Sequence, residues 1–269
     1  MTRGTGQPLL EIAGLSISFG GLKAIDSLDL VVDEGAIVGL IGPNGAGKTT
    51  VFNCIARYYK PDSGRITMGG FDLLSARPHE VLPRGIARTF QNMELFKSMT
   101  VQDNLLVGQH GAIKTGFCSA ALSLGKSRAS EAAVRRRAAE VMNRFGLSPY
   151  AHSTVTSLPY GVQKMVEFGR ALVSSPRLIL LDEPAAGLNP SETKELTKLI
   201  RQLRDEDGIS VLLVEHDMGL VRSICDEICV VDFGKRIAYG TPEEISRDAR
   251  VIEAYLGKQN EEEVAHAGA

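Results

Sequence analysis

Lys48, Thr49 and Thr50 follow directly on the glycine-rich run Gly42, Pro43, Asn44, Gly45, Ala46, Gly47. This order of residue types suits a nucleoside triphosphate. Glycines at 42, 45 and 47 let the backbone curl, so that successive N–H groups and a helix dipole converge on a β-phosphate. Lys48 adds a mobile charge for the β and γ oxygens, and the Thr49 hydroxyl suits Mg²⁺, a hard cation that takes oxygen ligands and few of them from protein. The alternative is an ordinary Gly/Asn turn ahead of a helix; the complete GxxxxGK[ST] spacing between a strand and a helix argues against it.

Two carboxylates, Asp182 and Glu183, emerge from the apolar run Leu178 to Leu181. At the C-terminal end of a parallel strand such groups face the ligand. There Asp182 is placed to order the water shell of a magnesium ion, and Glu183 to take a proton from water attacking a γ-phosphate. The competing role is to cap the next element. A third apolar run, Val211 to Val214, leads through Glu215 into His216 and Asp217. Alone, such a histidine is more often structural, but after a neighbouring core strand it comes toward the γ-phosphate.

The elements that position these groups follow from the apolar pattern. Ala36 to Ile41 reads as a buried parallel strand and Val51 to Ala56 as the helix after the loop. Upstream, Leu9 to Ala13, Ser16 to Phe19 and Asp29 to Val32 read as strands of an antiparallel region, and Gly64 to Met68 as a short strand after a turn. Between 78 and 150 strand character gives way to helices, best at Val101 to Val107 and Glu131 to Phe145. Gly108 to Lys126 is rich in Gly, Ala and Ser without periodicity and receives no function. From Arg177 the alternation resumes: strand Leu178 to Leu181, helix Ser191 to Arg204, strand Ile209 to Val214, helix Met218 to Cys225, strand Ile228 to Val231. A hairpin from Phe233 to Tyr239 and short helical pieces around Glu243 and Val251 close the domain. The expected fold class is α/β: a P-loop nucleotide hydrolase with a parallel core sheet, an N-terminal antiparallel β subdomain and an inserted helical subdomain. The domain spans 8–257, with the insertion at about 92–176, and 258–269 is expected to be a disordered polar tail.

Composition narrows the partners. The chain has 269 residues, is 43% hydrophobic and carries a net charge of −2, so it shows no overall basic footprint for nucleic acid. No apolar stretch approaches the roughly 20 residues of a spanning helix, and no charged region precedes an apolar core at the N-terminus, so a cytoplasmic location is expected. Cysteines at 54, 118, 225 and 229 form no CxxC pair and read as buried free thiols.

With the phosphate loop, the strand ending in Asp182 and Glu183, and His216 in place, the chain from about Leu9 to Leu256 resembles the ATP-binding cassette subunits of membrane transporters. The resemblance implies ATP and Mg²⁺ as ligands and Lys48, Gln91, Glu183 and His216 as catalytic residues. Gln91 then contacts the metal together with Thr49 and Asp182, and Phe19 stacks on adenine unless it is simply a core strand residue. Leu158, Pro159, Tyr160 and Gly161 stand where the family has its signature, ahead of a helix whose N-terminus covers the γ-phosphate bound to the other subunit. Here the chain departs from the usual Leu-Ser-Gly-Gly-Gln: Pro159 replaces the serine, Tyr160 the first glycine and Val162 the glutamine. Asn189 stands where many cassettes carry an aspartate at the dimer seam. The plainer reading of Pro159 is that it begins a helix.

Ala87 to Asn92, the altered signature, Gly187 to Pro190, the stretch after Gly108 and the ending Val251 to Gly257 resemble more narrowly the ATP-binding subunits of bacterial branched-chain amino acid importers. That implies a second cassette subunit, two integral membrane permease subunits and an extracytoplasmic solute-binding protein as partners, with the chain peripheral at the cytoplasmic face of the inner membrane. Because the departures fall on the face offered to the other subunit, a heterodimer is expected. Relatives take urea, amides or aromatic acids, so another solute remains an alternative. A soluble cassette acting on DNA or ribosomes is a further one, although one cassette and near-neutral charge argue against it. A GTPase or small-molecule kinase fits less well, since no Asn-Lys-x-Asp guanine reader is present.

Overall fold

The computed structural model describes residues 8–89, 94–109 and 124–255, of which 124–131 by backbone alone. Gln91, Cys118, most of the Gly108 to Lys126 stretch, Leu256, Gly257 and the polar tail lie outside the described residues. The chain divides into two compact units, the first formed by Met1–Pro78 with Leu180–Ala269 and the second by His79–Ile179.

In the first unit, β1 (Pro8–Phe19) and β2 (Leu22–Asp33) pair antiparallel, and β1 pairs on its other edge with β4 (Ser63–Met68), which leads to β5 (Phe71–Asp72). The two strands expected at Leu9 to Ala13 and Ser16 to Phe19 are one. A register shift between Ile12 and Leu15 interrupts it, where Gly14 takes φ 58° and its N–H donates to Asp29 Oδ1 at 2.7 Å. A bulge there breaks the alternation on which two-strand readings rest.

The core sheet runs β10-β9-β3-β8-β7, with β3 (Ile37–Ile41), β7 (Leu178–Asp182), β8 (Ser210–Val214), β9 (Glu227–Asp232) and β10 (Lys235–Gly240). Every residue of β3, β7 and β8 is buried, as parallel strands covered on both faces require. Each Leu, Ile or Val side chain so buried contributes about 1.5–3 kcal/mol. β9 and β10 form a tight antiparallel hairpin, with Phe233 at φ 43° and Gly234 at φ 76°, so the sheet is mixed at this edge. Around it lie α1 (Lys48–Ile55), α5 (Pro190–Asp205), α6 (Met218–Ile224) and α7 (Pro242–Ile245), and residues 249–255 are also helical.

The second unit holds α2 (Val101–Val107), α3 (Leu124–Arg144) and α4 (Tyr160–Leu172) around a core of Val101, Leu105, Val141, Leu147, Val155 and Val166. It also contains a strand that the periodicity does not announce, β6 (Ile86–Arg88), whose approach is fixed by the Arg177 and Leu178 N–H groups donating to the Gly85 carbonyl at 2.8 and 2.9 Å. Three residues are too few to show a period of two. No helix among the described residues is long and apolar enough to cross a membrane.

Candidate active site

Sheet order decides what meets at the C-terminal edge. β8 lies between β3 and β7. The strand feeding the phosphate loop and the strand ending in Asp182 are therefore two strand spacings, roughly 10 Å, apart, with the end of β8 between them. Parallel register pairs Ile37 with Val211 and Gly39 with Leu213. Continued by two residues, it sets Ile41 level with Glu215, so the phosphate loop and His216 leave the sheet at one height.

The loop itself is closely held. Gly42 has φ 151°, and a Cβ there would lie 1.9 Å from the Val231 carbonyl oxygen; Gly47 has φ 103°, and its Cβ would meet Ile25 Cδ1 at 2.5 Å and the Ala24 oxygen at 2.7 Å. Both positions exclude any other residue. The helix begins at Lys48, three residues before the run that marked it in the sequence, and Gly47 at its N-cap offers no side chain to the first-turn N–H groups. Such an end, with its dipole, is suited to an anion. Lys48 is only 6% exposed, and its ammonium donates to the carbonyls of Gly42 at 2.7 Å and Pro43 at 2.9 Å, which keep it within the loop. Pro43 and Ala46 are buried, while Asn44, Gly45 and Thr49 are exposed and Thr50 half-buried. The hairpin turn contributes a brace that sequence reading missed: Gly234 N–H donates to the Ala46 carbonyl at 3.0 Å, and its own carbonyl accepts from Asp26 N–H at 2.9 Å.

Asp182 is buried at the last position of β7, and Glu183 follows half-buried with φ 49°, a left-handed conformation uncommon for a residue with a side chain. Glu183 N–H donates to the Val214 carbonyl at 2.9 Å, which fastens it to the end of β8. From β8, His216 brings Nε2 to 2.8 Å from Glu183 Oε1. The pair expected from two separate motifs is thus brought into direct contact. Glu215, which received no role in the sequence reading, is 4% exposed and accepts backbone N–H groups from both loops. Asn189 caps α5: its Oδ1 accepts from Ser191 and Glu192 N–H at 2.9 and 3.0 Å, while Glu192 returns a bond to the Asn189 N–H. Aspartate caps a helix equally well, so the amide at this position leaves the local structure unchanged.

At the far end of the β1–β2 hairpin Phe19 is 45% exposed and meets the Tyr59 ring edge-on, with centroids 5.2 Å apart and planes at 66°. The two aromatics are brought together as α1 ends: Arg57 turns the chain at φ 64°, and Asp62 then accepts from Ser18 N–H at 2.8 Å. Tyr59 also escaped the sequence reading, because nothing local links it to Phe19.

In the second unit Pro159 is the N-cap of α4, one position earlier than a proline beginning the helix, and its carbonyl accepts from Gln163 N–H at 3.0 Å. Leu158 is buried and its carbonyl accepts from Gln163 Nε2 at 2.8 Å; Tyr160 is exposed and Gly161 half-buried. The helix buries Lys164 and Glu167, 3.7 Å apart, and Arg170 donates to the Glu94 carbonyl.

Among the described residues the free cysteines 54, 225 and 229 are all buried. Burial pushes their thiols up, to about 11 for Cys54 and about 12 for the other two, which makes them core residues rather than nucleophiles.

A closely held phosphate loop with an uncapped helix start, an acidic strand end and a glutamate–histidine contact can bind a nucleotide and activate water against its terminal phosphate. Residues 25–186 match the family model for the ABC transporter, and 235–260 match that for the branched-chain amino acid ATP-binding cassette transporter. The chain is 45% identical to the high-affinity branched-chain amino acid transport ATP-binding protein BraF of Pseudomonas aeruginosa over 94% of its length and 99% of that protein's. It is 48% identical to the corresponding protein LivG of Salmonella typhimurium over the same shares. A crystal structure of a nucleotide-free ATP-binding cassette from an ABC transporter superposes with a TM-score of 0.81 at 31% identity, covering 93% of this chain and 99% of the other. By motif, fold and kinship the chain belongs to the ABC transporter family, as one of its nucleotide-binding ATP hydrolases.

Proposed function

We propose that this chain powers the import of branched-chain or similarly hydrophobic amino acids, working at the cytoplasmic face of a cell membrane through separate permease subunits. The observation that carries the hydrolytic part is the 2.8 Å contact of Glu183 with His216 at the edge shared with the phosphate loop. Glu183 takes the proton of the attacking water, His216 holds that carboxylate and faces the γ-phosphate, and Lys48 neutralises the β and γ oxygens. Phe19 stacks on the base. The solute rests on likeness to BraF and LivG, whose names specify branched-chain amino acid transport.

Magnesium suits the donors at hand, since the exposed Thr49 hydroxyl at a helix start and the buried Asp182 carboxylate at a strand end are both hard oxygen ligands. Bound there with ATP, it supplies charge neutralisation at the phosphate oxygens. Gln91 joins these residues in our assignment. The partners are a second cassette, two permease subunits and an extracytoplasmic binding protein. The cassette pair is a heterodimer, because Pro159, Tyr160, Val162 and Asn189 alter the face this chain offers to its neighbour.

The test is ATP-driven uptake by the assembled complex in vesicles. Leucine, isoleucine or valine should accumulate, and Glu183→Gln in this chain should stop it. Uptake of urea or an aromatic acid in preference to all three would overturn the solute assignment. Equal single-turnover rates at both cassettes, with brisk activity of this chain alone, would overturn the heterodimer.

A further inference from the structure

The loop carrying Glu183 and the loop carrying His216 are held by one side chain. Glu215 Oε1 accepts from Ala185 N–H at 2.8 Å, and Oε2 accepts from His216 N–H at 2.9 Å and, more loosely, from Asp217 N–H at 3.4 Å. Glu215 is 4% exposed, and a carboxylate on so buried a residue needs such donors to remain in the interior. Here backbone amides supply them, divided between two loops, one oxygen to each. Because the two oxygens belong to one rigid planar group, their spacing fixes the spacing of the loops.

That constraint bears on a residue under conformational strain. Glu183 occupies φ 49°, which a non-glycine residue keeps only when its surroundings over-determine it. On one side its N–H is tied to the Val214 carbonyl at 2.9 Å. On the other, its carbonyl accepts from Ala186 N–H at 3.1 Å, and between them Ala185 is tied to Glu215. His216 is confined as well, since Asp217 beyond it caps α6 by accepting from Gly219 and Leu220 N–H at 2.8 and 3.0 Å. We infer that Glu215 is a positioning residue for hydrolysis, which bridges the two loops through backbone amides and so holds the Glu183 carboxylate against the His216 ring. The inference rests on the reading of Glu183 and His216 as the hydrolytic pair.

Replacing Glu215 by glutamine keeps its size but turns one oxygen into a donor, which must then face an N–H of one loop. Alanine removes both ties. The phosphate loop stands on β3 and α1 and does not depend on them.

In the assembled complex, kcat and ATP affinity are measured for Glu215→Gln and Glu215→Ala beside Glu183→Gln, with the ¹⁵N resonances of the His216 ring as a direct reading of its bond to Glu183. We expect kcat to fall about tenfold for Gln and further for Ala, ATP affinity to stay within about twofold, and the His216 ring resonances to move. Adding Glu215→Gln to Glu183→Gln should cost nothing more. If Glu215→Ala does not fold, Glu215→Gln carries the test. Retention of kcat within twofold by Glu215→Gln, where Glu183→Gln abolishes turnover, overturns the positioning role. A parallel loss of affinity and kcat, or unchanged His216 resonances, also overturns it, since either marks a general structural role. Full turnover by Glu183→Gln itself instead overturns the hydrolytic pair.

Discussion

Glu183 Oε1 and His216 Nε2 stand 2.8 Å apart although 33 positions separate them and they leave different strands of one sheet. Their contact makes the carboxylate's direction a property of two loops. Glu183→Gln should therefore keep ATP affinity within about twofold while turnover falls about 10²–10⁴-fold, the usual contribution of a positioned base. Filter binding and phosphate release, measured on the same preparation, separate the two.

Lys48→Ala should act on binding instead. It removes a buried ammonium that two carbonyls hold inside the loop, and with it a charge for the phosphates. ATP affinity should fall at least tenfold, and calorimetric titration measures it. Unchanged affinity would count against the phosphate loop as the binding site.

Phe19→Ala should lower affinity for ATP about tenfold and leave affinity for inorganic tripolyphosphate unchanged. An aromatic pair contributes about 0.5–1.5 kcal/mol beyond its buried area, so loss of the Tyr59 ring from behind Phe19 should have the same sign and a smaller size. Equal losses for both ligands would place Phe19 in the framework rather than at the base.

The thiols give a pH dependence. An ordinary thiol ionises near 9.0, whereas burial pushes Cys54 up to about 11 and Cys225 and Cys229 up to about 12. Above pH 9 the unfolded chain sheds protons that the folded chain keeps, so stability is full below that pH and is lost as pH rises toward 11 and 12. The expected slope is about 1.4 kcal/mol per pH unit for each thiol in that window. Urea melts between pH 8 and 11 measure it, and at pH 8 these three cysteines should resist alkylation until the chain is unfolded.

Much of the site is legible in the sequence because its chemistry is written in contiguous runs. Gly42 to Thr50 announces itself by spacing, and Asp182, Glu183 and His216 stand at the ends of unbroken apolar strands. Glu215, Gly234 and Tyr59 are not legible, for a common physical reason: each acts through a backbone group or ring brought close by the sheet or by a turn, across a distance in sequence that no local pattern spans. The insertion of β8 between β3 and β7 decides that Glu215 reaches both loops, and strand order leaves no trace in composition. The fold behaves likewise. The buried strands β3, β7 and β8 stand out as apolar runs, whereas β6 is too short to show alternation and the bulge at Gly14 made one strand look like two.

The order β3-β8-β7 also has a temporal consequence. Ile37 must find Val211, 174 residues further along, and the whole second unit emerges between them. At ribosomal speeds of about 5–20 residues per second, the finished phosphate-loop strand waits roughly 9–35 s for that neighbour. During biosynthesis Ile37 to Ile41 is thus an unpaired apolar edge, and the nucleotide cannot template the assembly of its own site until the chain has been made past His216.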